Sequence, residues 1–198
     1  NNACGCATRE TVSDSFKNAL ASDPVSAFGG ILITDGTVDL ETATQIDKIF
    51  YEVCIATSYT QEALDLLTKK SKRIILEWSM NKYDQDIVRS CLNGILVQDR
   101  DLHNVDESDL TFSTVKKPNK LVINDLLLAD KIVKNTKSNA IILVKDGRLL
   151  SSGTGQTSRV DALRQAISKA NAFEIDLNGS VMASDAFFPF PDCVEIAA

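Results

Sequence analysis

The sequence has a single histidine and no run of basic residues. Its 198 residues include 21 lysines and arginines against 27 aspartates and glutamates, a formal net charge of −6 at pH 7. Tight nucleic-acid binding through phosphate neutralisation needs clustered positive charge, so we expect no nucleic-acid partner. Because His103 stands alone in a polar stretch, we draw no Ser-His-Asp or Cys-His arrangement and expect a solvated loop residue there.

Long hydrophobic runs are also absent. No apolar stretch approaches the roughly 20 residues needed to cross a bilayer. The N-terminal residues have neither the basic flank nor the hydrophobic stretch of a signal peptide. We therefore expect a cytoplasmic protein with no membrane partner. Because the sequence begins without methionine, we also expect it to be a fragment of a longer polypeptide.

The five cysteines are odd in number and scattered, which does not indicate a disulfide framework and agrees with a reducing compartment. Cys4 and Cys6 are separated by one residue, a tighter spacing than zinc sites use, and no second Cys or His pair stands nearby. We therefore expect no metal site.

What the sequence does have is an alternation of short β-rich runs with helical patterns. The apolar fraction of 44% and the charged fraction of 24% are those of an ordinary globular protein. The alternation predicts an α/β layered fold. We expect helices over residues 9–21, 40–50, 124–137 and 160–172, and one capped by Ser58 or Thr60 that runs to residue 70. We expect strands over residues 31–34, 53–56, 73–76, 95–98, 141–144 and 148–152, and we leave residues 77–89 unassigned.

Residues 99–120 are polar, contain Pro118 and have little periodicity. Such a stretch is the best candidate for a boundary between two compact units. We therefore predict a first subdomain over residues 1–115 and a second over residues 116–198.

Three loops are candidates for chemistry. GTGQTSR, residues 153–159, lies between a predicted strand and a predicted helix, where glycines and free N–H groups favour an anion. Arg159 adds forked donors for a phosphate. A plain strand-to-helix turn explains the same glycines equally well, since the third glycine of a dinucleotide fingerprint is missing.

The other two loops carry weaker signals. SDAFFPF, residues 184–190, places three phenylalanines beside an acid; they predict either a flat wall for an aromatic ligand or, on periodicity alone, core packing. DPVSAFGG, residues 23–30, is dense in residues with special backbone needs, which predicts a turn and says nothing of chemistry.

Taken in order, these segments resemble the aminoimidazole carboxamide ribonucleotide (AICAR) formyltransferase family. The similarity covers nearly the whole chain, and the joint order of the motifs is far more specific than any one of them. The matching segments are NACGCA at 2–7, DPVSAFGG at 23–30, EVCIA at 52–56, GILVQDRD at 94–101, KSNA at 137–140, GTGQTSR at 153–159 and SDAFFPF at 184–190.

The resemblance implies an enzyme of purine biosynthesis that moves a formyl group from 10-formyltetrahydrofolate to the amine of AICAR. It implies two subdomains that resemble the cytidine-deaminase fold without its zinc. It also implies a homodimer with an active site across the dimer interface, and an inosine monophosphate (IMP) cyclohydrolase domain in the same polypeptide.

The resemblance also implies roles for particular residues. Asn139 would hold the carboxamide and the tetrahedral intermediate as the catalytic residue. The substrate nucleotide would be bound by Gly29, Glu52, Arg159 and Phe187. The folate would lie against Pro189, Phe190 and Asp192.

The chain departs from the family pattern at Ala3 and Pro191, where relatives usually have proline and arginine. It also opens at Asn1, where a catalytic Lys-His pair would come immediately before, and it stops before a glycine-rich segment. Because proton transfer is worth roughly 10² to 10⁴ in rate, we expect the chain by itself to be nearly inactive and poorly soluble.

Two other functions remain open. One is a non-catalytic nucleotide-binding relative that kept the pocket and lost the chemistry, for which the departures above leave room. The other, a dinucleotide-binding oxidoreductase, rests on Gly153 and Gly155 alone and lacks a fingerprint at the first strand.

Overall fold

The computed structural model describes residues 2–79 and 84–198. Helices and strands alternate along the chain, which confirms the predicted α/β class. The α-helices are α1 Val12–Leu20, α2 Leu40–Ile46, α3 Gln61–Leu67, α4 Lys120–Lys134, α5 Arg159–Ala172 and α6 Asp192–Ala197. The strands are β1 Gly30–Ile33, β2 Thr37–Val38, β3 Tyr51–Ala56, β4 Ser58–Tyr59, β5 Ile74–Glu77, β6 Asp86–Cys91, β7 Gly94–Asp99, β8 Ile141–Lys145, β9 Arg148–Gly153 and β10 Val181–Ser184.

Side-chain caps fix where most of the helices begin. The residue before each of the first five helices accepts a hydrogen bond from a backbone N–H of the first turn, which satisfies one of the helix's unpaired donors. The caps are Thr11, Asp39, Thr60, Asn119 and Ser158. The choice between Ser58 and Thr60 is thereby decided for Thr60, because Ser58 belongs to β4.

The N-terminal sheet is parallel, with strand order β1-β3-β5. Its buried face packs against α1, α2 and α3 in a core built from residues such as Tyr51, Cys54 and Leu67. The opposite face carries Ile31, Ile33, Ile74 and Leu76, which remain exposed in this part of the chain.

The C-terminal sheet is antiparallel, with strand order β10-β8-β9 and a helix on each face. Because side chains alternate along a strand, Ile142 and Val144 of β8 join the core beside α4. Ile141 and Leu143 join the core beside α5. β8 and β9 are joined by the Asp146-Gly147 turn, in which both residues have positive φ (51° and 64°), as a two-residue hairpin of type I′ requires.

The N-terminal segment connects the two sheets. Leu149 N–H donates to Cys6 O at 2.9 Å, and Thr8 N–H donates to Gly147 O at 2.8 Å, so this segment adds to the edge of β9. It passes tightly over the end of α1, where a Cβ on Gly5 would lie only 2.0 Å from Ala19 O. The predicted division of the chain at residue 115 stays a prediction.

Several element boundaries differ from the sequence prediction. α2 ends at Ile46 rather than at residue 50, because the next N–H groups tighten into i→i+3 bonds before Phe50 O accepts Gly29 N–H. α4 begins at Lys120 rather than at residue 124, because Asn119 caps it immediately after Pro118. The predicted strand 95–98 lengthens into β7, which pairs with β6 as an antiparallel hairpin.

The sequence analysis did not predict the short strands β2 and β4, the strand β10 or the helix α6. β6 begins within the unassigned stretch 77–89 and extends past it to Cys91, and residues 80–83 of that stretch lie outside the described residues. Among the helices of the described ranges, none is long and apolar enough to cross a bilayer.

Candidate functional site

One end of the antiparallel sheet gathers three of the segments that the sequence analysis singled out. β8 begins at Ile141, its neighbour β9 ends at Gly153, and its other neighbour β10 ends at Ser184. Because both neighbours run antiparallel to β8, the residues before β8 and those after β9 and β10 lie at the same edge. The 137–140 loop, the 153–159 loop and the start of the 184–190 segment therefore meet there.

Asp185 connects its own segment to the other two. Its Oδ1 accepts a hydrogen bond of 2.9 Å from Ala140 N–H, its Oδ2 accepts one from the Ser138 hydroxyl, and Arg159 Nη2 lies 3.5 Å from Oδ2. Burial raises the pKa of this carboxyl, but the hydrogen bonds from Ser138 and Ala140 and the charge of Arg159 outweigh it and hold the pKa below its ordinary value. Asp185 is therefore ionised at neutral pH.

Asn139 connects the 137–140 loop to the 153–159 loop. Its Nδ2 donates to Gln156 O at 2.9 Å and to Thr157 O at 3.1 Å. Both partners are carbonyl oxygens, so the amide nitrogen must face them and both of its hydrogens are used. Within the described residues, Asn139 Oδ1 accepts no hydrogen bond, which leaves this oxygen available to a ligand.

Backbone hydrogen bonds hold the same two loops in register. Asn139 N–H donates to Gln156 O at 3.2 Å, Gln156 N–H donates to Asn139 O at 3.3 Å, and Gly155 N–H donates to Lys137 O at 2.9 Å. Lys137 N–H in turn donates to Asn2 Oδ1 at 2.9 Å, so the N-terminal segment reaches the site. The paired loops give Asn139 a fixed orientation.

The glycines of the 153–159 loop have structural reasons of their own. A Cβ on Gly153 would lie 1.7 Å from Ala162 O, so only glycine lets β9 pass this close to α5. Gly155 has a φ of +65°, which favours glycine, and it packs over the aliphatic part of Lys137. The strand-to-helix turn is therefore sufficient to explain both glycines.

Arg159 is the first residue of α5, directly after the capping Ser158. Within the described residues, its single ion pair is the 3.5 Å contact with Asp185, and its buried Nε has no hydrogen-bond partner. A buried N–H without an acceptor is costly. The guanidinium therefore has unused donors, as expected of a residue that binds an anion or a carbonyl group of a ligand.

The three phenylalanines of the 184–190 segment divide between the core and the surface. Phe188 packs against the core beside α5. Phe187 is 81% exposed and Phe190 is also exposed, so both present their rings outward, with Pro189 between Phe188 and Phe190. The two expectations for this segment thus hold for different residues, since one ring is core and two form an outward apolar surface.

Asp192 follows this segment as the first residue of α6. Its Oδ1 accepts a hydrogen bond of 2.8 Å from Cys193 N–H. The buried Cys193 packs in the same core as Phe188, which fixes the segment against α5. Asp192 itself is partly exposed.

Gly29 and Glu52 lie in the N-terminal half. Gly29 has a φ of +71°, and its N–H donates to Phe50 O at 2.9 Å, which ties the 23–30 loop to the start of β3. Glu52 is exposed on β3. No hydrogen bond or ion pair in the described ranges joins these two residues directly to Asn139 or Arg159.

Sequence reasoning missed Ser138, Asp185 and Asn2 as site residues. All three stand inside motifs that the sequence analysis quoted, but none has a side chain whose role a pattern reveals. The available signal was position, because Asp185 comes two residues after the end of an apolar run and Ser138 two residues before the start of another.

The remaining candidates have no place in the site. His103 is exposed, with Nε2 3.6 Å from Asp109 Oδ2. In residues 2–79 and 84–198, no group of three or more His, Cys, Asp or Glu side chains is arranged to hold a metal ion. Burial raises the pKa of both the Cys4 and the Cys6 thiols, and nearby carboxylates (Asp23 and Asp35 respectively) raise it further.

The fold and this site define a mixed α/β protein in which two hydrogen-bonded loops meet at one sheet edge, where Asn139 and Arg159 keep unused polar groups. The chain belongs to the AICARFT/IMPCHase bienzyme family, whose sequence profile matches residues 1–169. This confirms the family to which the motif order pointed.

Curated relatives agree with this assignment, and each is named bifunctional purine biosynthesis protein PurH. The relative from Bacteroides thetaiotaomicron is 58% identical over 197 residues, which cover all of this chain and 39% of that protein. Those from Persephonella marina and Caldicellulosiruptor saccharolyticus are 43% and 44% identical, again over the whole chain. The chain thus spans about 39% of the length of the first of these relatives.

Proposed function

We propose that this protein is an AICAR formyltransferase, which moves a formyl group from 10-formyltetrahydrofolate to the amine of AICAR in purine biosynthesis. Family membership supports the proposal at the level of the purine-biosynthesis bienzyme. The observation that carries the finer statement is the convergence of Asn139, Arg159 and Asp185 at one sheet edge, with acceptor and donor groups left unsatisfied.

The reaction explains why such a site is needed. The bond between the formyl carbon and N10 of the folate breaks, a bond from that carbon to the AICAR amine forms, the amine loses a proton and N10 gains one. An aromatic amine beside a carboxamide is a poor nucleophile, so orientation and electrostatic stabilisation must supply much of the rate.

Asn139 is the proposed catalytic residue, and its hydrogen bonds define how it acts. Because both amide hydrogens bind backbone carbonyls, the group that it offers the substrate is the acceptor Oδ1. An acceptor at this position binds an N–H of the carboxamide or of the reacting amine and so fixes the orientation of the nucleophile.

The other proposed contacts follow the chemistry of each side chain. The unused donors of Arg159 bind an oxygen of the nucleotide, while Asp185 keeps the guanidinium in place. The outward ring of Phe187 packs against the imidazole. Gly29 and Glu52 complete the nucleotide pocket from the N-terminal half. The folate lies against Pro189, Phe190 and Asp192.

The remaining parts of the proposal concern the assembly. The two halves are taken to be cytidine-deaminase-like subdomains without zinc, and the active site to form across a homodimer. Because the relatives are more than twice as long as this chain and are named as bifunctional, the proposal includes IMP cyclohydrolase elsewhere in the polypeptide.

The test uses protein expressed from its full native reading frame, mixed with AICAR and 10-formyltetrahydrofolate while tetrahydrofolate formation is followed by absorbance. We expect Asn139→Ala and Arg159→Ala each to lose about a hundredfold or more in kcat/KM. Asn135→Ala and Arg164→Ala, exposed residues of the same types outside the site, should stay within about twofold.

The outcomes separate the candidate functions. Turnover that collapses in both site variants and persists in both controls supports the transferase. AICAR binding without turnover in the unaltered protein would favour the non-catalytic relative, for which Ala3 and Pro191 leave room. Neither binding nor turnover would exclude both.

A further inference from the structure

An ion pair with a buried carboxylate connects the 23–30 loop to α5. Lys169 Nζ lies 2.6 Å from Asp23 Oδ2, and Asp23 is only 2% exposed. Among the ion pairs of the described ranges, this is the one with the most deeply buried carboxylate. An ion pair taken out of water survives only when geometry and further hydrogen bonds compensate for the lost hydration.

The same carboxylate organises the loop that follows it. Asp23 Oδ1 accepts a hydrogen bond of 2.8 Å from Ser26 N–H. The loop then closes through Phe28 N–H to Val25 O at 3.3 Å and Gly30 N–H to Ala27 O at 3.1 Å. One carboxylate oxygen of Asp23 thus pairs with Lys169, and the other accepts a hydrogen bond in the first turn of the loop that carries Gly29.

The neighbouring residue strengthens the same attachment. Ser22 is buried, its hydroxyl donates to Leu149 O in β9, and Arg148 Nε donates to Ser22 Oγ at 3.3 Å. Residues 22 and 23 are therefore attached to β9 of the antiparallel sheet and to α5.

Lys169 shares its helix with Arg159. The two residues are ten positions apart on α5, about 15 Å along a rigid helix. A hydrogen-bonded helix of this length is stiff, so its two ends keep nearly constant positions relative to each other. Arg159 and the 23–30 loop are consequently held in a fixed relation, although no polar contact in the described part joins Arg159 to Gly29.

We propose that Lys169 is a positioning residue, which anchors Asp23 so that the 23–30 loop of the N-terminal half is presented at a fixed place relative to Arg159. This inference rests on the proposed function, in which Gly29 and Arg159 bind the same nucleotide. Lys169 itself touches no substrate. Lys169 instead affects the position of Gly29 relative to Arg159, the two sides of the proposed nucleotide pocket.

The test combines kinetics with hydrogen exchange on protein from the full native reading frame. In Lys169→Met we expect the KM for AICAR to rise about tenfold with a smaller change in kcat, because ground-state binding is what the loop position affects. Amide exchange within residues 24–30 should accelerate in the same variant. Lys169→Arg, which keeps a cation on the helix, should restore most of both.

Two further variants guard against a purely structural loss. Lys169→Met alone leaves the Asp23 carboxylate buried and unpaired, which can prevent that variant from folding. The double variant Asp23→Asn with Lys169→Met removes both charges and leaves no buried ion. We expect the double variant to fold and to keep the raised KM. Arg164→Met removes an exposed cation from the same helix and should change neither KM nor loop exchange.

The outcomes distinguish this inference from the function on which it rests. A folded Lys169→Met protein, or the double variant, with unchanged KM and unchanged loop exchange would overturn the positioning role. If the unaltered protein neither binds nor turns over AICAR, the proposed function fails. Faster loop exchange in Lys169→Met would in that case still establish the anchoring of the loop.

Discussion

The two sheets are made of similar apolar strands but are covered differently. β1 and β5 of the parallel sheet bury one face against α1, α2 and α3, while Ile31, Ile33, Ile74 and Leu76 remain exposed on the other. β8 of the antiparallel sheet is buried on both faces, because α4 and α5 pack on opposite sides. We therefore expect isoleucines of the two sheets to contribute very different amounts to stability.

This difference indicates which part of the molecule is a rigid frame and which part still has an exposed apolar face. The doubly covered sheet carries Asn139, Arg159 and Asp185 at its edge, and a rigid frame is what a precisely oriented site requires. The singly covered sheet presents an apolar face, the kind of surface that marks an interaction or lowers solubility. The poor solubility expected from the sequence remains a prediction.

The largest expected effect comes from a matched pair of isoleucines. Ile142 is 1% exposed and Ile33 is 68% exposed. Ile142→Ala removes buried contacts and leaves a cavity, so we expect it to lower the free energy of unfolding by about 2–5 kcal/mol, whereas Ile33→Ala should cost less than about 1 kcal/mol. Urea unfolding of both variants measures the difference. Equal losses would mean that the parallel sheet's outer face is covered in solution.

A smaller loss is expected from adding one methyl group between β9 and α5. In Gly153→Ala the new Cβ would meet Ala162 O at 1.7 Å, so the strand and helix must separate, at a cost of about 1–3 kcal/mol. Gly94→Ala, whose nearest atom beyond its chain neighbours lies 3.9 Å away, is the matched control and should be nearly neutral. Thermal unfolding separates the two, and equal melting temperatures would contradict the tight packing of this sheet.

A pH-dependent effect is expected at the edge of the same sheet. The folded pKa of Asp185 is lowered, so its stabilising contribution is complete above the ordinary aspartate pKa of about 3.9 and is lost as pH falls through the folded value. Asp185→Asn should therefore be less stable than the unaltered protein by about 1–2 kcal/mol at pH 7, and this difference should shrink progressively as the pH falls below about 3.9. A pH-independent difference in urea unfolding would show that the charge of Asp185 is not what stabilises the loops.

The smallest expected effect on the fold concerns the β6–β7 hairpin, which belongs to neither sheet. Its Cys91 is exposed, whereas burial raises the pKa of the thiols of Cys4, Cys6, Cys54 and Cys193. Iodoacetamide at pH 7 should alkylate Cys91 first and leave the melting temperature unchanged within about 1 °C. Peptide mass spectrometry measures the order, and earlier labelling of Cys4 or Cys6 would contradict the packing of the N-terminal segment on β9.

Much of the secondary structure could be predicted because its signals are local. Thr60, Ser158 and the Asp146-Gly147 pair fix a helix start or a turn through contacts with residues a few positions away. β10 and α6 were missed because nothing local marks them. β10 is a strand since it pairs with β8, about 40 residues earlier.

The candidate site was predictable in part for the same reason. Asn139 and Arg159 stand in recognisable motifs, but no motif reveals which polar atom of Asn139 is left for a ligand. The structure assigns its hydrogens to Gln156 O and Thr157 O, a pairing that depends on how two loops meet. Asp185 is recognised as a site residue only from its contacts with Ser138, Ala140 and Arg159.

By itself, the sequence determined the α/β class, the family and most helix and strand positions, because caps, turns and periodicity act between neighbouring residues. Only the tertiary structure decided which apolar strands are covered on both faces, which side chains of the loops stay unsatisfied, and that Lys169 reaches Asp23. Burial and polar pairing depend on segments far apart in the chain, and no local pattern records which of them meet.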